Sequence, residues 1–227
     1  MGSFFARALR LLLTGDPEVY SIAWTSLRFS LVSVTAAAVL SVPLGVLLGL
    51  HDFRGRRSVL AALNSLMALP TVLVGLLIYS LLSRSGPLGS WGVLFRPTAV
   101  IIGQTVLCFP IIASLVTGSL SRLDGNLRET LVTLGASAWQ RLRMVLRECR
   151  LALLSALLAG FGRVIGEVGV SMMLGGNIRF YTRTLTTAIA LETSKGEFEL
   201  GLALGMILLL LALTVNFALH WMVKHEH

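Results

Sequence analysis

Long uncharged runs set the pattern of this chain. Four stretches hold no Asp, Glu, Lys or Arg: Phe29–Leu50, Ser58–Ser83, Pro97–Ser121 and Leu200–Val223. Each reaches the roughly 20 helical residues needed to cross a bilayer core, so each predicts a membrane-spanning helix. A fifth run, Leu151 to about Asn177, is interrupted only by Arg163 and Glu167 and predicts a further span. Lipid offers no water to unpaired backbone groups, so the spans are expected to be helices with internally satisfied hydrogen bonds. Pro43, Pro70 and Pro110 within them read as kinks that help neighbouring helices pack. The expected fold is an all-α integral membrane protein of five transmembrane helices.

Composition agrees with this pattern, at 55% hydrophobic and 13% charged residues. The formal net charge of +8 suggests nucleic acid at first sight, but its distribution argues for membrane orientation. With the N-terminus outside and the C-terminus in the cytoplasm, Arg54, Arg56 and Arg57, then Arg122 through Arg150, then Lys224 lie inside. Arg7, Arg10, Arg84, Arg96, Arg179, Arg183 and Lys195 lie outside. No repeat or long linker divides the chain. The expected organisation is an amphipathic interfacial segment at 1–24, with Arg7 and Arg10 on its polar side, and one five-helix membrane domain at 25–227. A cleavable signal peptide is not expected, because no small-residue cleavage pattern follows the short apolar start.

Charge is concentrated in one connection, 122–150. Asn126 is followed three residues later by Glu129, and Ser137 by Gln140, a spacing that suits reciprocal helix N-terminal caps. Gly135 between them suits a helix C-terminus, where a left-handed backbone is needed. Two helices around a sharp turn are therefore expected. In the second, Leu142, Val145, Leu146 and Cys149 form an apolar strip, and Arg143, Arg147 and Arg150 recur on another side. The arginines alone serve to hold a loop in the cytoplasm, whereas two capped helices suit a docking element for a partner. A DNA-binding helix-turn-helix has no soluble domain to present it.

The stretch "ETLVTLGASAWQRLRMV" at 129–145 resembles the cytoplasmic Glu-Ala-Ala loop of permeases in ATP-binding-cassette (ABC) importers. That resemblance implies a type I ABC importer transmembrane domain whose coupling helix enters a cleft of a separate ATPase subunit. Gly135, Ala136, Ser137, Trp139, Gln140 and Arg141 would form the coupling turn and helix, with Glu129 bracing the helix before it. Thr130 and Leu131 replace the family's two alanines, and Arg147-Glu148 stands where its general pattern has Leu-Pro. Residues 160–205, "GFGRVIGEVGVSMMLGGNIRFYTRTLTTAIALETSKGEFELGLALG", resemble the permease subunit of tungstate importers, relatives of the molybdate permeases. The implied function is tungstate uptake across a bacterial or archaeal cell membrane, with molybdate or another oxyanion as the alternative. The implied partners are a second copy in a homodimer, two ATPase subunits and an extracytoplasmic oxyanion-binding protein.

Independently, the chain has no phosphate-gripping Gly-Lys pair: its lysines, Lys195 and Lys224, follow Ser194 and Val223. ATP and Mg are therefore expected on the partner, and the chain is not expected to be an enzyme. Arg163 and Glu167 fall one helical turn apart inside a span, where insertion of an ionised residue costs roughly 2.5–3.5 kcal/mol. They read either as a mutually satisfied pair that locks helices or as a translocation pathway or gate element, together with Asn177 and Thr186. Donors for an oxyanion are also offered by Arg179, Thr182, Arg183, Thr184 and Thr187, with Gly175 and Gly176 allowing close backbone approach. Cys108 and Cys149 read as structural, and no metal site is expected; His225–His227 reads as a polar tail. An intramembrane enzyme, the alternative of a different class, finds only His220 near a span end and no second acid beside Glu167. A passive channel would not need the structured 122–150 connection.

Overall fold

The computed structural model describes residues 16–122 and 133–224, and the described chain is helical with short connections. Helix α1, Pro17–Leu50, starts where Asp16 accepts hydrogen bonds from the N–H groups of Glu18 (2.8 Å) and Val19 (3.4 Å). Its 34 residues carry Pro43 without a break. The helix that carries the span expected from Phe29 thus begins a dozen residues earlier, and 17–24, expected to lie at the interface, form its first turns. The expectation for residues 1–15 lies outside the described residues.

The second expected span is broken. It forms α2, Arg56–Met67, and α3, Thr71–Leu82, at 100° to one another. Pro70 caps α3, and its ring disfavours a helical conformation at Leu69 and removes an N–H from the ladder. Helix α4, Pro97–Ser121, has the bounds expected from its uncharged run, with Pro97 in the first turn and Pro110 buried inside. Beyond the 122–150 connection, α5 (Ala138–Glu148) leads through Cys149 into α6 (Arg150–Ile165). The fourth expected span is also broken: α6 is bent by 62° from α7, Gly169–Gly175. Helices α8 (Leu185–Ser194) and α9 (Phe198–Lys224) complete the order. Among the described residues three helices, α1, α4 and α9, are long and apolar enough to cross a membrane, and the two bent pairs bring the number to five if each is one span.

Helix α4 is the axis of the bundle. It packs along α1 and also touches α2, α3, α6 and α7. Close approach to α1 rests on Gly45 and Gly49: a Cβ at either would fall within 2.7 Å of the Cβ of Val116 or within 2.6 Å of the Cβ of Leu120. Small residues four apart let two helix backbones meet, which matters in lipid, where packing replaces the hydrophobic drive. The main core joins Val34 and Ala37 of α1, Ile112, Val116 and Leu120 of α4, Phe161 and Val164 of α6, and Val145 with Cys149 at the end of α5. The amphipathic α5 is therefore anchored into the bundle by its apolar strip.

Candidate functional site

Two places carry the polar chemistry: the break between α6 and α7, and the turn that precedes α5. At the break, Glu167 follows the last turn of α6. Its carboxylate lies 2.7 Å from the Arg163 guanidinium, and its other oxygen accepts the Val170 N–H at 3.2 Å. The Glu167 side chain is 4% exposed and that of Arg163 37%. The carboxylate thus pairs a charge on α6 and caps the start of α7, two partners that make its burial tolerable.

Thr186 of α8 donates its hydroxyl to the Glu167 carbonyl at 2.8 Å. From the other side comes the start of α3, released by the Pro70 break. A Cβ on Gly169 would sit 3.3 Å from both Thr71 Oγ1 and Glu167 Oε1. The two broken spans therefore meet at their breaks.

A hub that the sequence did not single out lies behind this point. Gln104 of α4 is buried, accepts from Ser33 of α1 at 3.0 Å, and donates to Ser171 of α7 at 3.3 Å and to the Val164 carbonyl of α6 at 3.5 Å. One amide thus ties four helices beside the ion pair. The available signal was an amide side chain within a charge-free run of 25 residues.

Of the four pathway candidates, Arg163, Glu167 and Thr186 come together, whereas Asn177 sits at the far end of α7. Asn177 has a left-handed backbone, φ 52°, and donates to the Thr187 carbonyl at 3.3 Å. The neighbouring donors are largely committed within the protein. Thr182 donates to the Gly175 carbonyl and accepts from Ile178, and Thr184 and Thr187 form a capping box that starts α8. Arg179 makes two hydrogen bonds to Glu18, at 2.9 and 2.5 Å, and Arg183 one at 3.0 Å. Glu18 holds the Arg179 guanidinium above its ordinary pKa through that hydrogen bond and its charge. The 177–187 segment is thus tied largely by internal bonds, with Glu18 shared by Arg179 and Arg183, while the buried Asn177 Oδ1 and Arg183 Nε have no hydrogen-bond partner among the described residues.

At the second place, Gly135 has φ +72°, the left-handed conformation expected of it. The Ser137–Gln140 capping box is formed in both directions, at 2.8 and 3.3 Å. Trp139 is 71% exposed and projects beside Gln140, while Val145 and Cys149 hold the other end of α5 in the core. Ala136 and Arg141 are half-buried. Burial pushes the Cys149 thiol above its ordinary pKa, and the charge of Glu148 adds to this. Glu129 and Asn126 lie outside the described residues. Among the described residues no three His, Cys, Asp or Glu side chains gather to hold a metal.

Residues 41–225 match the family described as binding-protein-dependent transport system inner membrane component. The chain is 40% identical to the tungstate uptake system permease protein of Peptoclostridium acidaminophilum over 95% of both chains. It is 41% identical to a probable anion ABC transporter permease protein of Haloferax volcanii, covering 86% of this chain and 87% of that one. In fold it is similar to a chain of the inward-facing MetNI methionine ABC transporter, with a TM-score of 0.74, 21% identity, and coverage of 94% of this chain and 99% of the other.

Proposed function

We propose, since the chain belongs to the family of binding-protein-dependent transport system inner membrane components, that it is the permease of a tungstate importer. As a member of that family it is a multi-pass inner-membrane subunit without catalysis of its own, working with a binding protein and a separate ATPase that holds the nucleotide. The choice of tungstate is carried by the identity to a tungstate uptake permease over nearly the whole of both chains. Molybdate or another oxyanion is the second reading, favoured by the similarity to a permease named only for an anion.

In this reading the N-terminus is outside and the C-terminus cytoplasmic, residues 25–227 form the transport domain, and two copies enclose the path. Gly135 to Arg141 form the grip for the ATPase, with Glu129 behind it. A helix that starts with a reciprocal cap transmits force without fraying, and Trp139 offers a large exposed anchor. Motion passes along α5 through Val145 and Cys149 into α6, whose far end is the Arg163–Glu167 break. There the ion pair and the Thr186 bond link three elements that must part or rotate when access alternates. Glu167 also screens the Arg163 charge, so that an anion meets an attractive but shallow site.

The test is ATP hydrolysis by the reconstituted complex, stimulated by the cognate binding protein loaded with tungstate, molybdate or sulfate. Tungstate is expected to stimulate at the lowest concentration. Equal stimulation by all three anions would overturn the choice of tungstate, and no stimulation by any would overturn the importer reading.

A further inference from the structure

We infer that the 83–96 connection forms a preorganised basic seat that receives carboxylate side chains of the extracytoplasmic binding protein; this rests on the importer reading and orientation above. The seat is a cavity of about 740 Å³ between the end of α3 and the start of α4. Arg84 and Arg96 line it with Ser83 and Ser85, over a wall made by Tyr79 and Phe95. Both arginines are exposed, and among the described residues neither has a carboxylate partner.

The contrast with the other basic residues placed on this side, among the described residues, is what gives the cavity its meaning. Arg179 and Arg183 are held by Glu18, and Lys195 by Glu192 at 3.0 Å. Those charges serve the permease itself. Arg84 and Arg96 are left to an outside anion: Ser83 donates to the Ser80 carbonyl at 3.1 Å and lies 3.4 Å from the Ser85 hydroxyl, so the two guanidinium groups of this concave surface are what matches carboxylate oxygens.

The seat is also stiff. Backbone hydrogen bonds fold the connection back on itself: Gly86 to Ser83 at 2.8 Å, Leu88 to Leu81 at 2.9 Å, and Arg96 to Val93 at 3.1 Å. Phe95 takes the left-handed region, φ 60°, which is costly for a bulky side chain and persists only where the surroundings hold it. Its N–H donates to the Leu174 carbonyl at 3.0 Å, and its ring edge would lie 2.9 Å from a Cβ on Gly176, so the wall is continuous with α7. Tyr79 meets Phe95 edge to face, with ring centres 6.1 Å apart. A rigid seat gives up little conformational freedom on docking, which favours a protein partner presenting fixed carboxylates.

The decisive measurement is ATP hydrolysis by the full complex in nanodiscs as the loaded binding protein is titrated. In Arg84→Gln/Arg96→Gln the half-saturating concentration of binding protein is expected to rise about tenfold, since removing steering charges slows association. The rate without binding protein and the maximal rate are expected to be unchanged, the salt dependence of half-saturation to flatten, and Arg84→Lys/Arg96→Lys to recover most of the loss. An unchanged half-saturation overturns the seat. So does a shift that vanishes when acidic phospholipids are left out of the nanodisc, which assigns the arginines to lipid headgroups instead. Failure of the importer reading is seen separately, as absence of stimulation in the unaltered complex.

Discussion

Thr186 donates its hydroxyl to the backbone carbonyl of Glu167 at 2.8 Å, while the carboxylate of the same Glu167 lies 2.7 Å from Arg163. A single residue at a helix break is thereby held through its backbone by α8 and through its side chain by α6 and α7. Replacing Thr186 with Val keeps the shape and leaves that carbonyl without its partner at membrane depth. The expected loss is about 1 kcal/mol of stability, read as a lower thermal midpoint in detergent, together with slower uptake. Thr186→Ser keeps the hydroxyl and is expected to restore both.

The ion pair itself separates a lock from a gate. Arg163→Met and Glu167→Met each leave one charge unpaired in the bundle, while the double variant leaves none. Each single change is expected to destabilise more than the double, because the unpaired buried charge is the expensive state. Thermal midpoints of the four proteins check this. Uptake by the stable double variant then decides the role: abolished uptake means the charges serve the path, and retained uptake means they only lock the helices.

Uncharged runs marked where the spans lie, but their prolines, all three read as kinks, did not say which one would break a helix. The bounds of α4 followed from its run because Pro97 opens it and charge closes it at Arg122. Pro43, Pro70 and Pro110 sit in similar apolar surroundings, yet only Pro70 ends a helix. The difference lies in tertiary packing, since Thr71 and Gly169 meet at the two breaks, and hydropathy does not record who the neighbour will be. Local chemistry was more legible. Gly135, the Ser137–Gln140 box and the Arg163–Glu167 pair each depend on residues within one turn of each other, and each formed as spaced. Gln104 escaped notice because its partners, Ser33 and Ser171, come from helices far along the chain. Arg179 and Arg183 read as free donors for the same reason: Glu18, which binds both, is distant in sequence.

Cys149 offers a probe of how firmly α5 is seated. Its thiol is buried against the core and its pKa is raised, first by burial and then by Glu148. Raising the pKa lowers the thiolate fraction near neutral pH, and the thiolate is the reacting form. Alkylation by a water-soluble maleimide is therefore expected to be slower than for an exposed cysteine. It is expected to keep rising with pH, about tenfold per unit, beyond the point where an ordinary thiol levels off. Mass spectrometry of the Cys108→Ala protein against pH reads the rate at Cys149 alone. Fast labelling that levels off at the ordinary thiol pKa would show that α5 detaches from the bundle.

The turn before α5 gives the sharpest test of force transmission, because its backbone and its surroundings make separable demands. Gly135 has φ +72°, and no atom lies within 4 Å of a Cβ built there. A substitution therefore meets no clash, and its cost comes from the left-handed backbone, roughly 1–2 kcal/mol for an ordinary L-residue and more when the side chain is branched at Cβ. Asparagine visits that region readily, so uptake is expected to fall in the order Gly, Asn, Ala, Val. If the turn transmits the ATPase stroke, Gly135→Val is expected to hydrolyse ATP with the unaltered protein's basal rate while its uptake per ATP drops at least tenfold. Equal uptake by the unaltered protein and the three variants would detach this turn from coupling. A loss that followed side-chain volume, with Asn worse than Ala, would instead mean that the partner's cleft closes on Gly135 and that contact, rather than backbone geometry, fixes the residue.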